Sequence, residues 1–553
     1  MNDVLQLKKA NCKNCHKCIR HCPVKSIRFG DGQAQIVPDE CILCGMCFVT
    51  CPQNAKEIRD DIHLVEEAMN AGKPVYASVA PSFIADFDVS GIAEMEKALI
   101  KLGFAGAEET AIGADLVKRE YQKLVDSGKH RAIISSCCHS INLLIQKYYP
   151  TMLPYLADVL SPMQAHCKLM KEQHPGAVTV FIGPCISKKD EAAGSAHTDI
   201  VLTFDELREW MARKDISFER TPRETQEGKR ARFFPTTGGI LKSMDHVQNF
   251  NYIAIDGVEN CVAAFRELEE GRLQNVFIEM SACEGSCING PCIREHGQHR
   301  VSGAMKVVEY GGKADFACDL EDLHKEHAYL GIHQRMPGND AIREVLAQMG
   351  KTLPEHELNC GTCGYNTCRE KAIAVCQGKA DLTMCLPYLK EKAESFSDKI
   401  IGNSPNGIFV LNEDLVVEQI NAAACEMFNL KSPNDILHEP VIRLLSPTDY
   451  LNVVLTGKNV YNKRHYIAEY KKFVEETIVY DKRYHIVVSF MRDVTEQEQV
   501  QEENRELRQQ TVEITDKVID KQMRVVQEIA SLLGETAAET KIALSNLKET
   551  LQK

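Results

Sequence analysis

Short apolar runs alternate with amphipathic stretches through the first 330 residues or so of the chain. Runs typical of buried strands occur at residues 75–79, 131–135, 178–182, 199–202 and 276–280. Helical periodicity lies between them, for example at residues 92–102 and 114–126. Strands and helices in alternation predict an α/β fold with mostly parallel strands.

The pattern changes twice further along the chain. Residues 393–494 alternate between strands and short helices, which predicts an α+β domain. Beyond residue 494 the chain reads as one long helix. Its apolar residues follow a heptad-like seam at positions 500, 507, 514, 518, 525, 529 and 532. Gly534 interrupts the seam, and Leu544, Leu547 and Leu551 resume it. Such a seam predicts a parallel two-stranded coiled coil, and hence a homodimer.

These changes divide the chain of 553 residues into five expected domains, which makes it a multidomain α/β protein. The expected boundaries are 1–58, 59–335, 336–392, 393–494 and 495–553. A net charge of -13 argues against nucleic acid or an anionic membrane as a partner. The sequence also shows no signal peptide and no apolar stretch of about 20 residues. We therefore expect a cytoplasmic protein.

The chain has 23 cysteines, and most of them stand in ordered clusters. Without a secretion signal, reduced thiols that bind metal are a better explanation than a disulfide framework. Two N-terminal runs repeat the spacing C-x2-C-x2-C-x3-C, and each is followed by proline. In such doubled runs the fourth cysteine ligates the neighbouring [4Fe–4S] cluster.

Two interleaved cluster sites are therefore expected in a ferredoxin-like domain. The first cluster set is Cys12, Cys15, Cys18 and Cys51. The second cluster set is Cys22, Cys41, Cys44 and Cys47. A pair of zinc sites is the alternative, but zinc needs only four thiolates and no interleaved repeat.

A further group, the downstream set, is Cys360, Cys363, Cys368 and Cys385. It resembles the small four-cysteine [4Fe–4S] domain of other redox proteins, and Gly361, Gly364 and Gly378 suit a tight wrap around a cluster. A zinc ribbon is the alternative, because four thiolates suit either metal.

The central cysteines are sparser. Cys283 and Cys287 lie one helical turn apart, and Cys138 and Cys185 each follow a predicted strand. These four residues, the central set, could form a four-thiolate site, although their spacing alone does not name it. Taken singly, each could equally be a buried apolar cysteine.

The residues around the central set resemble the three signatures of [FeFe]-hydrogenases. The first is Ile134-Ser135-Ser136-Cys137-Cys138, the second is Gly183-Pro184-Cys185 with Lys188 and Glu191, and the third is Glu279-x3-Cys283-x3-Cys287. Ala80-Pro81-Ser82 and Thr237-Gly238-Gly239 are also similar to family segments. The resemblance covers about residues 1–330.

This resemblance implies an H-cluster, in which a [4Fe–4S] cluster on the central set is bridged by Cys287 to a two-iron unit with CO, CN and azadithiolate. The expected cofactors are thus three [4Fe–4S] clusters plus the H-cluster. Cys137 is implied as the proton carrier and Lys188 as the donor to a cyanide. The other implied cofactor contacts are Ala80, Pro81, Ser82, Ser161, Gly183, Glu191, Glu279 and Ser281.

The chain also departs from the family pattern. Gly183 and Ser281 stand where the family has methionines around the two-iron unit, so we expect a roomier and more polar pocket. The two glutamates and the serine of the family's proton path align with Tyr121, Leu124 and Ala157. Loss of these proton carriers predicts slow turnover.

Residues 393–494 resemble a PAS domain through Ile401-Gly402-Asn403-Ser404-Pro405 and the closing Asp493-Val494-Thr495-Glu496. We see no phosphoacceptor histidine or nucleotide motif in the helix that follows. The output is therefore expected to pass to a separate kinase or phosphatase.

Two functions remain open, and both use H2 and protons. The first is a slow H2 sensor, similar to the sensory [FeFe]-hydrogenases. The second is a catalytic hydrogenase that exchanges electrons with ferredoxin or another redox partner, regulated by its PAS domain. A third interpretation, a scaffold without the two-iron unit, fits less well because Cys137, Lys188 and Cys287 are present.

Overall fold

A computed structural model describes residues 4–8, 11–30, 32–220, 228–294, 300–332 and 336–551. The chain divides into two compact units, Met1–Leu389 and Lys390–Lys553. The expected boundary at residue 335 and the side chains of Leu547 and Leu551 lie outside the described residues.

The N-terminal cysteine runs fold around two small antiparallel strand pairs. The strands are β1 (Leu5–Leu7), β2 (Ile27–Gly30), β3 (Gln33–Ile36) and β4 (Lys56–Ile58). β1 pairs with β4, and β2 pairs with β3. Two one-turn helices, α1 (Lys17–Arg20) and α2 (Met46–Val49), each carry one cysteine of a run.

Gly45, which precedes α2, shows how closely this region packs on the central domain. Its φ is +78°, a conformation that favours glycine. A Cβ added there would lie 2.6 Å from the Cβ of Pro291. A side chain at this position would therefore push the two regions apart.

The central domain contains two parallel sheets, as the sequence predicts. Its strands are β5 (Val75–Val79), β6 (Gly106–Glu109), β7 (Ala132–Ile134), β8 (Val178–Gly183), β9 (Ile200–Thr203), β10 (Asn251–Asp256) and β11 (Val276–Ser281). One sheet has the order β6-β5-β8-β9, and the other has the order β10-β11-β7. The strand predicted at 75–79 is confirmed residue for residue, whereas β6 and β10 escaped prediction.

Helices connect these strands and cover their faces. They are α3 (Ile62–Asn70), α4 (Phe83–Asp86), α5 (Ile92–Leu102), α6 (Ala111–Asp126), α7 (His139–Tyr148), α8 (Pro162–Gln173), α9 (Ser187–Ala193), α10 (Phe204–Arg213), α11 (Gly239–Ser243), α12 (Val258–Glu269) and α13 (Arg300–Tyr310). Parallel strands covered in this way read as nearly continuous apolar runs, which explains why the sequence identified most of them.

Three further helices surround the downstream set: α14 (Asn339–Gln348), α15 (Cys368–Cys376) and α16 (Leu386–Gly402). Thr367 caps the start of α15, because its hydroxyl accepts a hydrogen bond from Glu370 N at 3.0 Å. Ile342, Leu346 and Met349 form a small core with Cys385, the last residue before α16. This core joins α14 to the last of the four thiols.

The second unit contains one antiparallel sheet of five strands, in the order β13-β12-β16-β15-β14. Its strands are β12 (Gly407–Asn412), β13 (Val417–Ile420), β14 (Val460–Ile467), β15 (Lys472–Asp481) and β16 (Ile486–Asp493), and its short helices are α17 (Ala422–Met427) and α18 (Thr448–Thr456). This arrangement is the α+β domain that the sequence predicts.

The last helix, α19 (Thr495–Leu551), is 57 residues long. Its seam side chains from Val500 to Leu532 are between 41% and 62% exposed. Among the described helices, α19 included, none combines the length and hydropathy that a membrane crossing requires.

Candidate active site

The central set lies at the ends of strands that belong to both sheets. Cys138 follows β7 and caps the start of α7, and Cys185 lies between β8 and α9. Cys283 follows β11, and Cys287 lies in the next turn. Cys138 and Cys283 leave the same edge of one sheet, because the carboxyl ends of its paired parallel strands β7 and β11 lie together. Cys185 comes from the end of a strand of the other sheet.

The thiols of the central set lie close enough to influence one another's pKa. Burial, and then the charges of Cys185, Cys138 and Cys287, raise the pKa of Cys283 well above its usual value. Burial and the charges of Cys185 and Cys138 raise the pKa of Cys287 to about 12. Binding a positively charged metal centre would relieve this mutual repulsion, because the thiolate is the metal ligand.

Cys287 also indicates where a bound group would lie. The residue is exposed, so its thiol is accessible to a bound group. Ser82, in the turn between β5 and α4, has a fully buried hydroxyl with no hydrogen-bond partner among the described residues. A buried hydroxyl without a partner is a feature that a bound cofactor could satisfy.

Within the described ranges, no three His, Cys, Asp or Glu side chains are grouped tightly enough for one metal ion.

Cys137 and Lys188 lie side by side next to the central set. Lys188 Nζ donates to the Cys137 carbonyl at 3.0 Å and to Glu191 Oε2 at 2.5 Å. Burial alone would raise the pKa of Glu191, but the charges of Lys188 and Lys325 lower it to about 2. Glu191 therefore holds the lysine ammonium in place, which makes it a partner of Lys188.

The Cys137 thiol is hydrogen-bonded to Tyr121, at 3.2 Å from its hydroxyl. Burial raises the pKa of Cys137 to about 12, although the Tyr121 hydroxyl and the Lys188 charge act in the opposite direction. The Tyr121 hydroxyl accepts from Ser136 N at 2.8 Å and lies 3.0 Å from Ser136 Oγ, which donates to the Val159 carbonyl at 2.8 Å. The chain of hydrogen bonds from Cys137 therefore ends on a backbone carbonyl.

The other two positions aligned with the family's proton path, Leu124 and Ala157, provide no proton-carrying side chain. Leu124 packs with Ala157 in the hydrophobic cluster that also contains Tyr121, and neither residue can carry a proton. In this direction the thiol has no acid to exchange with.

The remaining residues expected near the cofactor have different local roles. Ala80 and Pro81 are buried in the turn after β5. Ser161 caps α8, since its hydroxyl accepts from the backbone at the third following residue. Ser281 Oγ donates to the Cys283 carbonyl at 3.3 Å, which ties down the loop that carries this ligand.

Gly183 does not open space in the way expected from the sequence. A Cβ at Gly183 would lie 2.6 Å from the ring of Phe181 and 3.2 Å from the Cβ of Ala80. At this position the expectation of a roomier and more polar surrounding is wrong, because an aromatic ring two residues earlier on β8 fills it.

Glu279 acts on the backbone of the loop that contains Thr237-Gly238-Gly239. Its carboxylate accepts from Gly238 N at 2.9 Å, Ile240 N at 3.0 Å and Leu241 N at 3.2 Å. Burial raises the pKa of Glu279 to about 7, while the backbone donors act in the opposite direction. Its carboxylate is thus engaged in positioning α11 beside β11.

Several N-terminal thiols lie close to one another. The charges of Cys12 and Cys15 act on the pKa of Cys18. The charges of Cys41, Cys44 and Cys22 act on the pKa of Cys47. Cys51 accepts a hydrogen bond from Ala55 N at 3.3 Å. The four thiols of the downstream set line one cavity.

The charged neighbours of Glu191 were not identified from the sequence. Lys325 Nζ lies 3.5 Å from Glu191 Oε1, and burial lowers the pKa of His327 nearby to about 4. The signal that could have revealed them is the charged run from His324 to His327, which follows the third signature by about 40 residues.

Comparison with protein families agrees with this architecture. The C-terminal domain of the iron-only hydrogenase large subunit matches residues 73–291, and a 4Fe-4S dicluster domain matches residues 5–52. An Fe-S cluster family matches residues 354–387, and the PAS fold matches residues 396–501. The second unit therefore contains a PAS domain, as expected, and the chain carries iron–sulfur domains on both sides of the hydrogenase domain.

Sequence identity to known hydrogenases shows the family of the chain. The chain is 30% identical over 382 residues to the periplasmic [Fe] hydrogenase large subunit of Nitratidesulfovibrio vulgaris, covering 55% of this chain and 88% of that one. It is 25% identical over 371 residues to iron hydrogenase 1 of Clostridium pasteurianum, covering 53% and 64%. The chain belongs to the iron-only hydrogenase family.

Among solved structures, a variant of [FeFe]-hydrogenase HydA1 from Chlamydomonas reinhardtii matches with a TM-score of 0.38 and 16% identity. The match covers 48% of this chain and 99% of that one. The chain spans just under two thirds of the Clostridium pasteurianum relative.

Proposed function

We propose that the protein is an H2-sensing [FeFe]-hydrogenase with low, reversible H2 oxidation and proton reduction activity. The observation that carries this proposal is the hydrogen-bond network of Cys137, which ends on a backbone carbonyl instead of reaching an acid. A thiol without an exchange partner limits proton delivery, and slow turnover suits a sensor better than a catalyst.

In this proposal the central set would hold the [4Fe–4S] part of the H-cluster, and Cys287 would also bind the two-iron unit. When bound, the H-cluster supplies reversible cleavage of H2 into two protons and two electrons. Lys188, held by Glu191, presents its ammonium to the site as a hydrogen-bond donor. The Cys137 thiol holds a proton at its sulfur, since its raised pKa keeps it protonated at neutral pH.

The other three cysteine sets are proposed to hold one [4Fe–4S] cluster each. The PAS domain and α19 would then convert their redox state into a signal for a kinase or phosphatase. The exposed seam of α19 fits a second copy of the chain, because a heptad-like apolar face is typical of a two-stranded coil. Val518→Asp would place a charge in this seam, and a halved molar mass in solution is the expected result.

The test of the proposal is H2 oxidation and evolution by the fully matured protein, with infrared spectra of its cyanide and carbonyl bands. We expect H-cluster bands and a reversible spectral change under H2, with turnover far below that of the Clostridium pasteurianum enzyme matured in the same way. Equal turnover would overturn the sensory assignment.

Cys137→Ala and Cys318→Ala form a matched pair for the role of the thiol. Both cysteines are partly buried, but Cys318 donates to the Ile112 carbonyl at 3.9 Å, away from the site. Cys137→Ala should slow the residual activity, and Cys318→Ala should not. An unchanged rate in Cys137→Ala would remove this thiol from proton transfer.

The second candidate is a catalytic hydrogenase linked to ferredoxin. It is favoured by Cys15 of the first cluster set, which is exposed and so accessible to an external redox partner. Electron exchange with ferredoxin at the rate of the catalytic relatives would support this candidate.

A further inference from the structure

The downstream set packs directly on the N-terminal domain. Lys25 Nζ donates to the Gly364 carbonyl at 2.9 Å and to the Arg20 carbonyl at 3.0 Å. Arg20 Nη2 in turn donates to the Thr362 carbonyl at 3.1 Å. Two basic residues therefore hold the backbone of the loop from Cys360 to Cys368 by hydrogen bonds. Arg20 lies within the first cysteine run, and Lys25 lies just after it.

A second patch supports the same contact. Phe29 N donates to the Lys379 carbonyl at 2.7 Å, and Lys379 Nζ lies 2.6 Å from Glu40 Oε2. Cys363 and Tyr365 share one hydrophobic cluster with Ile19 and Cys22. Hydrogen bonds, a buried ion pair and apolar packing thus hold the two regions together.

Gly364 shows how close the approach is. Its Cβ would lie 3.0 Å from Ile19 Cγ2 and 3.2 Å from Arg20 N, and its φ is +95°. Gly361, in the same loop and also at positive φ (+68°), has only the Tyr365 carbonyl at 3.9 Å. These two glycines differ mainly in whether the N-terminal domain lies against them.

The thiols of the two regions face this contact. Burial lowers the pKa of Lys25, while the charges of Cys22 and Cys363 both act to raise it. Burial, and then the charges of Cys363 and Cys22, also raise the pKa of Tyr365. Cys22 and Cys363 therefore both lie close to Lys25 and Tyr365, in one hydrophobic cluster.

The second cluster set also faces the central site. Cys44 and Cys283 line one cavity of about 350 Å³, together with Pro23, Val49 and Pro291. Cys44 is also among the charges that raise the pKa of Cys283. One set of four thiols thus borders two others, the central set through Cys44 and the downstream set through Cys22.

We infer that the downstream set exchanges electrons with the N-terminal domain across the contact formed by Lys25, Arg20 and Gly364. The second cluster set then connects the downstream set to the central site. With a [4Fe–4S] cluster held by each of these two sets, one electron given up by the cluster of the second cluster set would reduce the cluster of the downstream set. In the proposed function, on which the inference rests, the electron comes from H2. Without H2, dithionite supplies it.

The contact is tested in the full chain reconstituted with iron and sulfide but without the two-iron unit. Gly364→Ala adds one methyl group against Ile19, and Gly361→Ala adds the same group at a similar backbone strain without that neighbour. Lys25→Met removes the donor to Gly364 while leaving the loop sequence intact. Iron content and amide exchange of residues 27–30 show which variants hold all clusters and open the contact.

After dithionite reduction, paramagnetic clusters that lie close together broaden each other's electron paramagnetic resonance signals. The two N-terminal clusters broaden each other in every variant, so the signal that decides is that of the downstream set. We expect this signal to be broadened in the wild type and in Gly361→Ala. In Gly364→Ala and Lys25→Met we expect this broadening to decrease, with exchange of the Phe29 amide about tenfold faster. If Gly364→Ala loses iron from the downstream set, Lys25→Met decides the question.

Broadening that persists in a variant whose Phe29 amide is exposed would overturn the inference, and so would its absence in the wild type. The same samples separate this inference from the proposed function. If the broadening behaves as expected but H2 fails to reduce the matured protein, the proposed function fails and the electron contact stands.

Discussion

Replacing Tyr121 by phenylalanine separates two explanations for slow turnover. The Tyr121 side chain is fully buried, and its hydroxyl accepts from Ser136 N at 2.8 Å and lies 3.2 Å from the Cys137 thiol. If this hydroxyl only holds the loop in place, its removal costs stability and leaves turnover nearly unchanged. If it carries protons, turnover falls.

The magnitude follows from the hydrogen bonds. Tyr121→Phe keeps the ring, which packs at 5.3 Å between centroids against Phe277, but leaves the Ser136 amide without its partner. A buried donor left unsatisfied costs about 1–3 kcal/mol. We therefore expect the free energy of unfolding of the central domain to fall by that amount, and turnover to change by less than about twofold.

Urea unfolding of the full chain can be followed by the fluorescence of Trp210, the single tryptophan, which is buried in the central domain. Tyr252→Phe is the matched control, because the Tyr252 hydroxyl accepts from Val247 N at 3.1 Å at an exposed site where water can replace it. This control should change the unfolding free energy by less than about 0.5 kcal/mol. A tenfold loss of turnover in Tyr121→Phe, at unchanged cluster content, would refute the interpretation that the Tyr121 hydroxyl does not carry protons.

Three more outcomes are expected with the same fluorescence assay. Glu191→Ala leaves the Lys188 ammonium buried without its carboxylate, which should lower the free energy of unfolding by about 3–5 kcal/mol. Lys188→Met combined with Glu191→Leu should lower it by less, and an equal loss would contradict the pairing. The pKa of Glu191 is lowered from 4.5 to about 2, so its stabilisation is complete above pH 4.5 and lost towards pH 2. In the metal-free chain, Glu191→Gln should flatten the pH dependence in that window, and an unchanged slope would exclude Glu191 as its source. Gly183→Met should destabilise the domain by about 1–3 kcal/mol through overpacking on Phe181, and Phe181→Ala should relieve part of this; no relief would place the strain elsewhere.

Much of the central domain could be predicted from the sequence because its strands are short apolar runs. β6 (Gly106–Glu109) escaped because its sequence, GAEE, lacks the β-branched and aromatic residues typical of strands. β10 (Asn251–Asp256) escaped although its sequence, NYIAID, contains the aromatic and β-branched residues typical of strands, and its edge position leaves its residues exposed or partly exposed.

The candidate site could be predicted at the level of its ligands but not of its surroundings. Cysteine spacing and signature residues carry information on metal ligands, whereas Phe181 filling the space beside Gly183 depends on the pleat of β8. The hydrogen bond from Lys25 to Gly364 could not be predicted either, because the acceptor is a backbone carbonyl, which every residue type provides.

The tight approach at Gly45 limits how this architecture can be rebuilt. Dicluster ferredoxins are natural candidates for grafting onto a hydrogenase domain, since their cysteine spacing is shared. A graft with any larger residue at this position would meet Pro291 with a Cβ 2.6 Å away, and would strain a backbone at φ +78°. Recombination between relatives should therefore succeed only when the donor brings glycine before the second helix, or when residue 291 changes with it.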